Sequence, residues 1–294
     1  MKRSIVVTGV SSGIGWGITK VLLREGFRVF GTVRKPADAD RLVSEFGPDF
    51  VPLLLDVTDG AAVHGAAQKV RQALGKTTLF GLVNNAGISL VGPLLHQPLE
   101  EFRQQLEVNL VAPLLVTQAF APLLGSDRTR EGQPGRIVNI SSVGGKMGAP
   151  FLGMYAATKH GLEGLSESLR RELMLYGIEV IVVEPGYVNT PILDKAESDD
   201  VGRYKDTDYG PILGRFSQGF LAAGRRGLAP TTIGEAVHTA LVARRPRVTY
   251  TVSPQKFTNW TLPRLLPSRI VDRLIGNRLG LVPHEPRGAA PSRR

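Results

Sequence analysis

Short runs of Val, Ile, Leu and Phe recur along the first two-thirds of the chain, separated by longer stretches with helical periodicity. The runs at Ser4–Thr8, Arg28–Val33, Phe50–Asp56, Leu79–Asn84, Arg136–Ser141 and Glu179–Glu184 predict strands. Most are almost continuously apolar, as strands covered on both faces must be. The intervening pattern predicts helices over Gly15–Glu25, Gly60–Leu74, Leu99–Leu124 and Met154–Tyr176. Strand and helix in alternation imply an α/β architecture, a doubly wound parallel sheet with helices on both faces. Ligands of such sheets bind beyond the carboxyl ends of the strands.

After Pro185 the rhythm loosens. A weak helical stretch around Gly214–Ala223 is followed by a better one over Thr231–Ala243, where Thr232 and Glu235 have capping-box spacing. Arg247–Val252 alternates like a last strand. From Ser268, Ile270, Val271, Leu274, Ile275 and Leu279 recur at helical spacing beside Arg269, Arg273 and Arg278, a basic amphipathic helix. One domain over 1–282 is expected, with a substrate lobe over about 187–230, an extension over about 253–282, and a disordered polar tail over 283–294.

Two local motifs carry chemistry. Thr8-Gly9-Val10-Ser11-Ser12-Gly13-Ile14-Gly15 follows the first strand and opens the first helix. Glycines there let the backbone approach a pyrophosphate, and the helix N-terminus offers free N–H groups and a favourable dipole. Its G-x-x-x-G-x-G spacing differs from G-x-G-x-x-G, so alone it is also compatible with a plain glycine turn. Asn84-Asn85-Ala86-Gly87 follows the fourth strand, and Asn109, Ser142, Tyr155 and Lys159 come after it.

With those residues in order the chain resembles the short-chain dehydrogenase/reductase superfamily, in its shorter-subunit branch, over roughly residues 4–252. The matching pieces are T-G-x-x-x-G-x-G at 8–15, N-N-A-G at 84–87, Asn109, a serine thirteen residues before Y-x-x-x-K at 155–159, and P-G-Y-V-N-T at 185–190. The resemblance implies a Rossmann fold with a small C-terminal substrate-capping extension. It implies an oxidoreductase moving hydride between a nicotinamide and an alcohol or carbonyl carbon.

Four residues would be catalytic in that case: Asn109, Ser142, Tyr155 and Lys159. Tyr155 and Lys159 are i,i+4 and project from one face of a helix. A free tyrosine titrates at about 10, and a neighbouring ammonium with a positive nicotinamide would favour its phenolate. Tyr155 would exchange the substrate proton and Ser142 would hold the substrate oxygen. Asn109 would anchor a water that links Lys159 to solvent. Ser141 competes with Ser142, but the thirteen-residue gap favours Ser142 and leaves Ser141 to end the strand.

The implied cofactor contacts are Gly9, Ser11, Ser12, Gly13, Ile14 and Gly15, then Asp56 and Val57 at the adenine, and Asn85, Ala86 and Gly87. Tyr155 and Lys159 join them, and Pro185, Gly186, Val188 and Thr190 would line the nicotinamide side. NAD-preferring relatives place a carboxylate at the end of the second strand. Here Val33 is followed by Arg34 and Lys35, which could meet a 2′-phosphate, so NADP(H) is expected over NAD(H).

The substrate pocket would take Ser142, Tyr155 and Tyr187, with Ile192, Leu193, Tyr209, Ile212, Leu213, Phe216, Phe220 and Phe151 as an apolar lining. That suits a hydrophobic alcohol and its ketone or aldehyde. The segments S-V-G-G-K-M-G-x-P-F and L-E-G-L-S-E-S-L-R-R-E-L look like the hydroxysteroid and retinol dehydrogenase side of the superfamily. A 3-oxoacyl-thioester reductase is the alternative within the enzyme class. A non-catalytic dinucleotide sensor would normally have lost part of the Ser–Tyr–Lys set, which is complete here.

Charge adds one question. Residues 203–294 carry 16 Lys and Arg against 5 Asp and Glu, net +11, while the other 202 carry 20 against 21. No nucleic-acid motif accompanies the basic third, and no nucleic-acid partner is expected. Its amphipathic helix could cap the pocket, pair with another subunit or rest on an anionic membrane, with burial on the protein itself as the expectation. A homodimer or homotetramer is expected through helices 99–124 and 154–176. Without cysteine there is neither a disulfide nor a thiolate metal site, and no metal is expected. The composition suits a reducing cytoplasm, and no stretch reads as long enough to span a membrane.

Overall fold

In the computed structural model, which describes residues 2–191, 201–254 and 261–281, seven parallel strands form one sheet in the order β3-β2-β1-β4-β5-β6-β7. The strands are β1 Ser4–Val7, β2 Arg28–Val33, β3 Phe50–Leu54, β4 Gly81–Asn84, β5 Arg136–Ile140, β6 Glu179–Pro185 and β7 Thr249–Val252. Their registers run Val6↔Phe30, Val6↔Leu82, Val83↔Val138 and Val138↔Ile181 across the centre. Chain direction reverses its winding at β1, so β1 and β4 diverge into a crevice at their carboxyl ends.

The helices are α1 Gly13–Arg24, α2 Pro36–Phe46, α3 Gly60–Leu74, α4 Leu99–Leu106, α5 Ala112–Ala121, α6 Gly153–Glu172, α7 Gly210–Arg225, α8 Pro230–Val242, α9 Leu262–Leu265 and α10 Ser268–Leu279. On one face Ile18, Leu22, Leu42, Ile233 and Val237 pack with Ile5, Val7 and Val138. On the other, Val63, Val70, Val116 and Phe120 pack with Val6, Leu82 and Ile137. Alternate residues of each strand thus supply the two cores, which is why the strand sequences are apolar throughout.

Several boundaries depart from the sequence pattern. The helix α2 was not anticipated. It starts with Pro36 at its first turn and buries only Leu42, so it carries little periodic signal. The single helix expected over Leu99–Leu124 is broken by a π turn at Glu107–Val111, between α4 and α5, and by another at Pro122–Ser126. The whole run Leu99–Ser126 is apolar and long enough, by length and composition alone, to cross a membrane, which corrects the sequence reading. Its Val116, Phe120 and Leu124 lie in the core beside the sheet. The capping box at Thr232 does not form. Ala229 is the N-cap of α8, and Glu235 instead meets Arg24 of α1 at 2.7 Å.

A third, smaller cluster lies over the carboxyl ends. Val91, Phe151, Tyr204 and Leu213 are buried together, with Tyr209, Phe216 and Leu281 against them. Leu281 follows α10, and Arg215 Nη2 of α7 donates to Leu279 O at 3.1 Å, so the C-terminal extension folds onto this lobe. The amphipathic helix is only half covered, since Ile270 and Leu274 remain exposed. Ile192, Leu193 and the tail 283–294 lie outside the described residues.

Candidate active site

The glycine loop joins β1 to α1 and approaches the loop after β4 closely. Gly9 has φ +70°, and a Cβ on Gly15 would stand 2.1 Å from Gly9 O and 2.5 Å from Asn85 Nδ2. Only glycine fits at Gly15, because the clash is with backbone that cannot turn away. Threonines tie the two motifs together. Thr8 Oγ1 accepts from the N–H groups of Asn85 (2.9 Å) and Ala86 (3.0 Å), and Asn85 Nδ2 donates back to Thr8 O at 2.8 Å. Thr32 Oγ1 accepts from Gly9 N at 2.8 Å, and Arg41 Nη2 of α2 donates to Ser11 O at 2.6 Å.

A cavity of about 840 Å³ opens at these strand ends. Gly9, Ser11, Ser12, Gly13, Ile14 and Gly15 form one wall. Arg34, Asp56 and Val57 stand at the ends of β2 and β3, and Asn85, Ala86 and Gly87 follow β4. Tyr155, Lys159 and Thr190 close the far side. Pro185, Gly186, Val188 and Tyr187 do not line it. Val188 is buried in the core, a Cβ at Gly186 would strike Ser253, and Tyr187 meets Phe220 edge-on at 5.8 Å. Leu90, Arg103 and Glu107 do line it, and none was singled out by sequence, because no motif marks them.

Arg34 is 67% exposed and only 3.9 Å from Asp56 Oδ2, a pair too open to hold the guanidinium. Burial works against the Asp56 charge, yet the N–H and hydroxyl of Thr58, with Arg34, hold its carboxyl below the usual range.

At the other end, α6 presents Tyr155 and Lys159 one turn apart. Lys159 Nζ donates to Ile140 O at 2.9 Å and lies 5.8 Å from the centre of the Tyr155 ring. Burial lowers Lys159 to about 8, against the opposing charge of Glu163. Burial also pushes the Tyr155 phenol up, and its hydrogen bond with Ser142 pulls the other way. The protein's own surroundings therefore keep the phenol protonated at neutral pH. Ser142 sits at the start of a short turn, Val143–Gly145, its Oγ accepting from Gly144 N at 3.0 Å. Ser142 bonds Tyr155 but does not line the cavity itself, while Ser141, expected to end the strand, does line it.

Asn109 stands in the π turn, whose extra residue bulges the helix toward α6. Its Oδ1 accepts from Ile88 N at 2.9 Å, and its Nδ2 donates to Ile88 O at 2.8 Å and Thr158 Oγ1 at 3.1 Å. Both amide hydrogens are thus committed to pinning the loop after β4 onto α6.

The lowered Lys159 has a consequence for stability. Between about 8 and 10.5 the unfolded chain binds a proton that the folded chain does not, so stability rises with pH across that window. Below it the buried ammonium costs about 3 kcal/mol at most. Lys159→Met should therefore raise thermal stability near neutral pH, less the bond to Ile140, and the gain should shrink as pH climbs. Melting curves across pH check this, and a gain that grows with pH would contradict it.

A family model described as short chain dehydrogenase matches residues 3–201. The chain belongs to the short-chain dehydrogenase family. It is thereby an oxidoreductase by family. An NADPH-dependent 3-dehydrocapnine reductase of Ornithobacterium rhinotracheale is 41% identical over 272 residues, 92% of this chain and 95% of that protein. Retinol dehydrogenase 5 of Mus musculus is 34% identical over 286 residues, covering 92% and 87%. Among solved structures, a short-chain dehydrogenase from Streptomyces avermitilis superposes with a TM-score of 0.74 at 26% identity, covering 96% of this chain and 98% of that one. The short-chain dehydrogenase fold accounts for the seven-stranded sheet and its crevice.

Proposed function

We propose that this short-chain dehydrogenase interconverts a hydrophobic alcohol and its ketone or aldehyde, with NADP(H) favoured over NAD(H). The observation that carries the reading is one cavity with Tyr155, bonded to Ser142, and Lys159 at one end and Arg34, with no carboxylate at the end of β2, at the other. The nicotinamide, when bound, supplies or accepts the hydride. The glycine loop and the N-terminus of α1 hold its pyrophosphate, and Arg34 meets the 2′-phosphate. Ser142 and Tyr155 share the substrate oxygen, and Tyr155 gives or takes the proton at its phenol oxygen. Lys159, 5.8 Å from the centre of the Tyr155 ring, would bond the nicotinamide ribose.

The apolar lobe built on Phe151, Tyr209 and Phe216 supports a hydrophobic substrate. Phe151 adopts φ +66°, which a bulky side chain holds only under packing, and its edge meets Phe216 at 5.2 Å. The NADPH dependence in the name of the Ornithobacterium relative agrees with the cofactor preference. A panel of steroid, retinoid, long-chain 3-ketone, aryl ketone and 3-oxoacyl thioester substrates, followed by NADPH and NADH absorbance, tests the reading. Turnover confined to 3-oxoacyl thioesters would replace it with the thioester reductase alternative.

A homodimer or homotetramer belongs to the same proposal. On α6, Ala156 is buried and Gly161 makes room for Leu110, so the small residues left facing outward are Ala157 and Gly164. Light scattering at micromolar protein should give at least twice the 31.7 kDa chain mass. A monomer would sink the interface.

A further inference from the structure

Behind Tyr155 and Lys159 lies a set of charges that the reaction above does not use. Lys146, four residues after Ser142, places Nζ 2.9 Å from Glu163 Oε2 and 3.9 Å from Glu184 Oε1. Glu163 follows Lys159 by four residues on α6, so the two share a face. The Glu163 and Glu184 side chains are 10% and 1% exposed. Glu184 Oε2 accepts from the Thr251 hydroxyl at 2.6 Å. Gly145 lies at the centre: a Cβ there would stand 2.6 Å from Ser141 Oγ and 3.2 Å from both Glu163 Cγ and Lys159 O.

Buried ion pairs are poor devices for stability, because desolvation offsets most of their attraction. What this one does is join three segments. The ammonium comes from the loop that begins at Ser142, one carboxylate from the helix that bears Tyr155 and Lys159, and the other from the end of β6. We propose that Glu163 is a positioning residue of the reaction: clasped by Lys146, it holds the Ser142 loop against α6, and its carboxylate faces the Lys159 ammonium.

Charge supports the geometry. Glu163 raises Lys159 against the burial that lowers it. Glu184 is pushed up by burial, with the Thr251 bond, Lys146 and Arg264 opposing, and Glu163 adds to the rise. Lys146 stands nearer to Glu163, at 2.9 Å, than to Glu184, at 3.9 Å, so its ammonium pairs with Glu163. The charged groups facing Glu163 are Lys146 from the loop, Lys159 from its own helix and Glu184 from β6.

This inference rests on the function proposed above, and its test separates the two. NADPH affinity of the full chain is titrated from about pH 6 to about pH 10 by cofactor fluorescence, and ketone reduction is followed over the same range. Glu163→Gln removes the carboxylate facing Lys159, so the alkaline loss of NADPH affinity and of turnover should move about one unit lower in pH. Lys146→Met frees Glu163 to act on Lys159 alone, so the same loss should move higher, while kcat falls as the Ser142 loop loosens. A purely structural role would not shift the two variants in opposite directions. Lys146→Arg should restore kcat. Shifts in the same direction, or none in either variant, overturn the role of Glu163. If Glu163→Gln does not fold, the Lys146→Met shift alone decides. An active Tyr155→Phe overturns the function instead and leaves the titration of NADPH affinity still able to judge this one.

Discussion

Tyr155→Phe should lower turnover by about a hundredfold to ten-thousandfold, the usual contribution of a placed acid–base group. The phenyl ring keeps the packing of α6, and Lys159 keeps its bond to the Ile140 carbonyl, so fold and cofactor affinity should persist. Only the hydroxyl that bonds Ser142 is lost. Burial holds that phenol above its ordinary value, so it carries the proton a ketone needs at neutral pH, and the burial cost must be met before it ionises. The sign of the pH dependence follows. Ketone reduction should fall as pH rises through the phenol's titration, and alcohol oxidation should rise along the same limb. Absorbance at the nicotinamide band gives the rates, and cofactor fluorescence gives the affinity. Turnover within about threefold of the parent would remove Tyr155 from the chemistry.

What the sequence made legible was what repeats locally. The strands β1 to β6 stood out because the sheet carries a core on each face, so their residues are mostly apolar on both sides. The glycine loop was legible as a tight turn before a helix, and Tyr155 and Lys159 as one helix face, while the resemblance to the short-chain dehydrogenases gave them their roles. Long-range satisfaction of polar groups left no such trace. Thr8 serves N–H groups 77 and 78 residues away, and Asn109 serves Ile88 and Thr158 across the crevice. Nothing near Thr8 or Asn109 in sequence announces these partners. The π turn at Glu107–Val111 is equally silent, because a one-residue bulge is set by what the helix packs on. The resemblance places a substrate pocket after Pro185, and the hydrophobicity of the residues there suits it. Hydrophobicity says that Phe151, Leu213 and Phe216 are covered, and it does not say whether a ligand or one another covers them. Within the lobe Phe151 packs with Leu213 and meets Phe216 edge-on.

Arg34→Asp should reverse the cofactor preference, with kcat/KM higher for NADH than for NADPH. In the parent, Arg34 is the first residue beyond β2, borders the cavity and is largely exposed. Its partner Asp56 lies 3.9 Å away and is already served by Thr58, so the guanidinium can swing to a phosphate without leaving a buried charge unpaired. A charge-assisted hydrogen bond is worth about 1.5–3 kcal/mol. Its loss should cost about tenfold to a hundredfold in kcat/KM with NADPH. The new carboxylate repels a 2′-phosphate and accepts from the ribose hydroxyls of NADH. It also stands beside Asp56, and that like-charge pair should limit the gain with NADH. Lys35 caps the start of α2 and can take over part of the phosphate contact, so the double variant with Lys35→Ala is the cleaner measurement. An unchanged NADPH/NADH ratio in both variants would leave Arg34 as a partner of Asp56 alone. The phosphate would then have to be met by another cation at this end of the crevice, and Arg41, bonded to Ser11 O on the glycine loop, is the residue to substitute next.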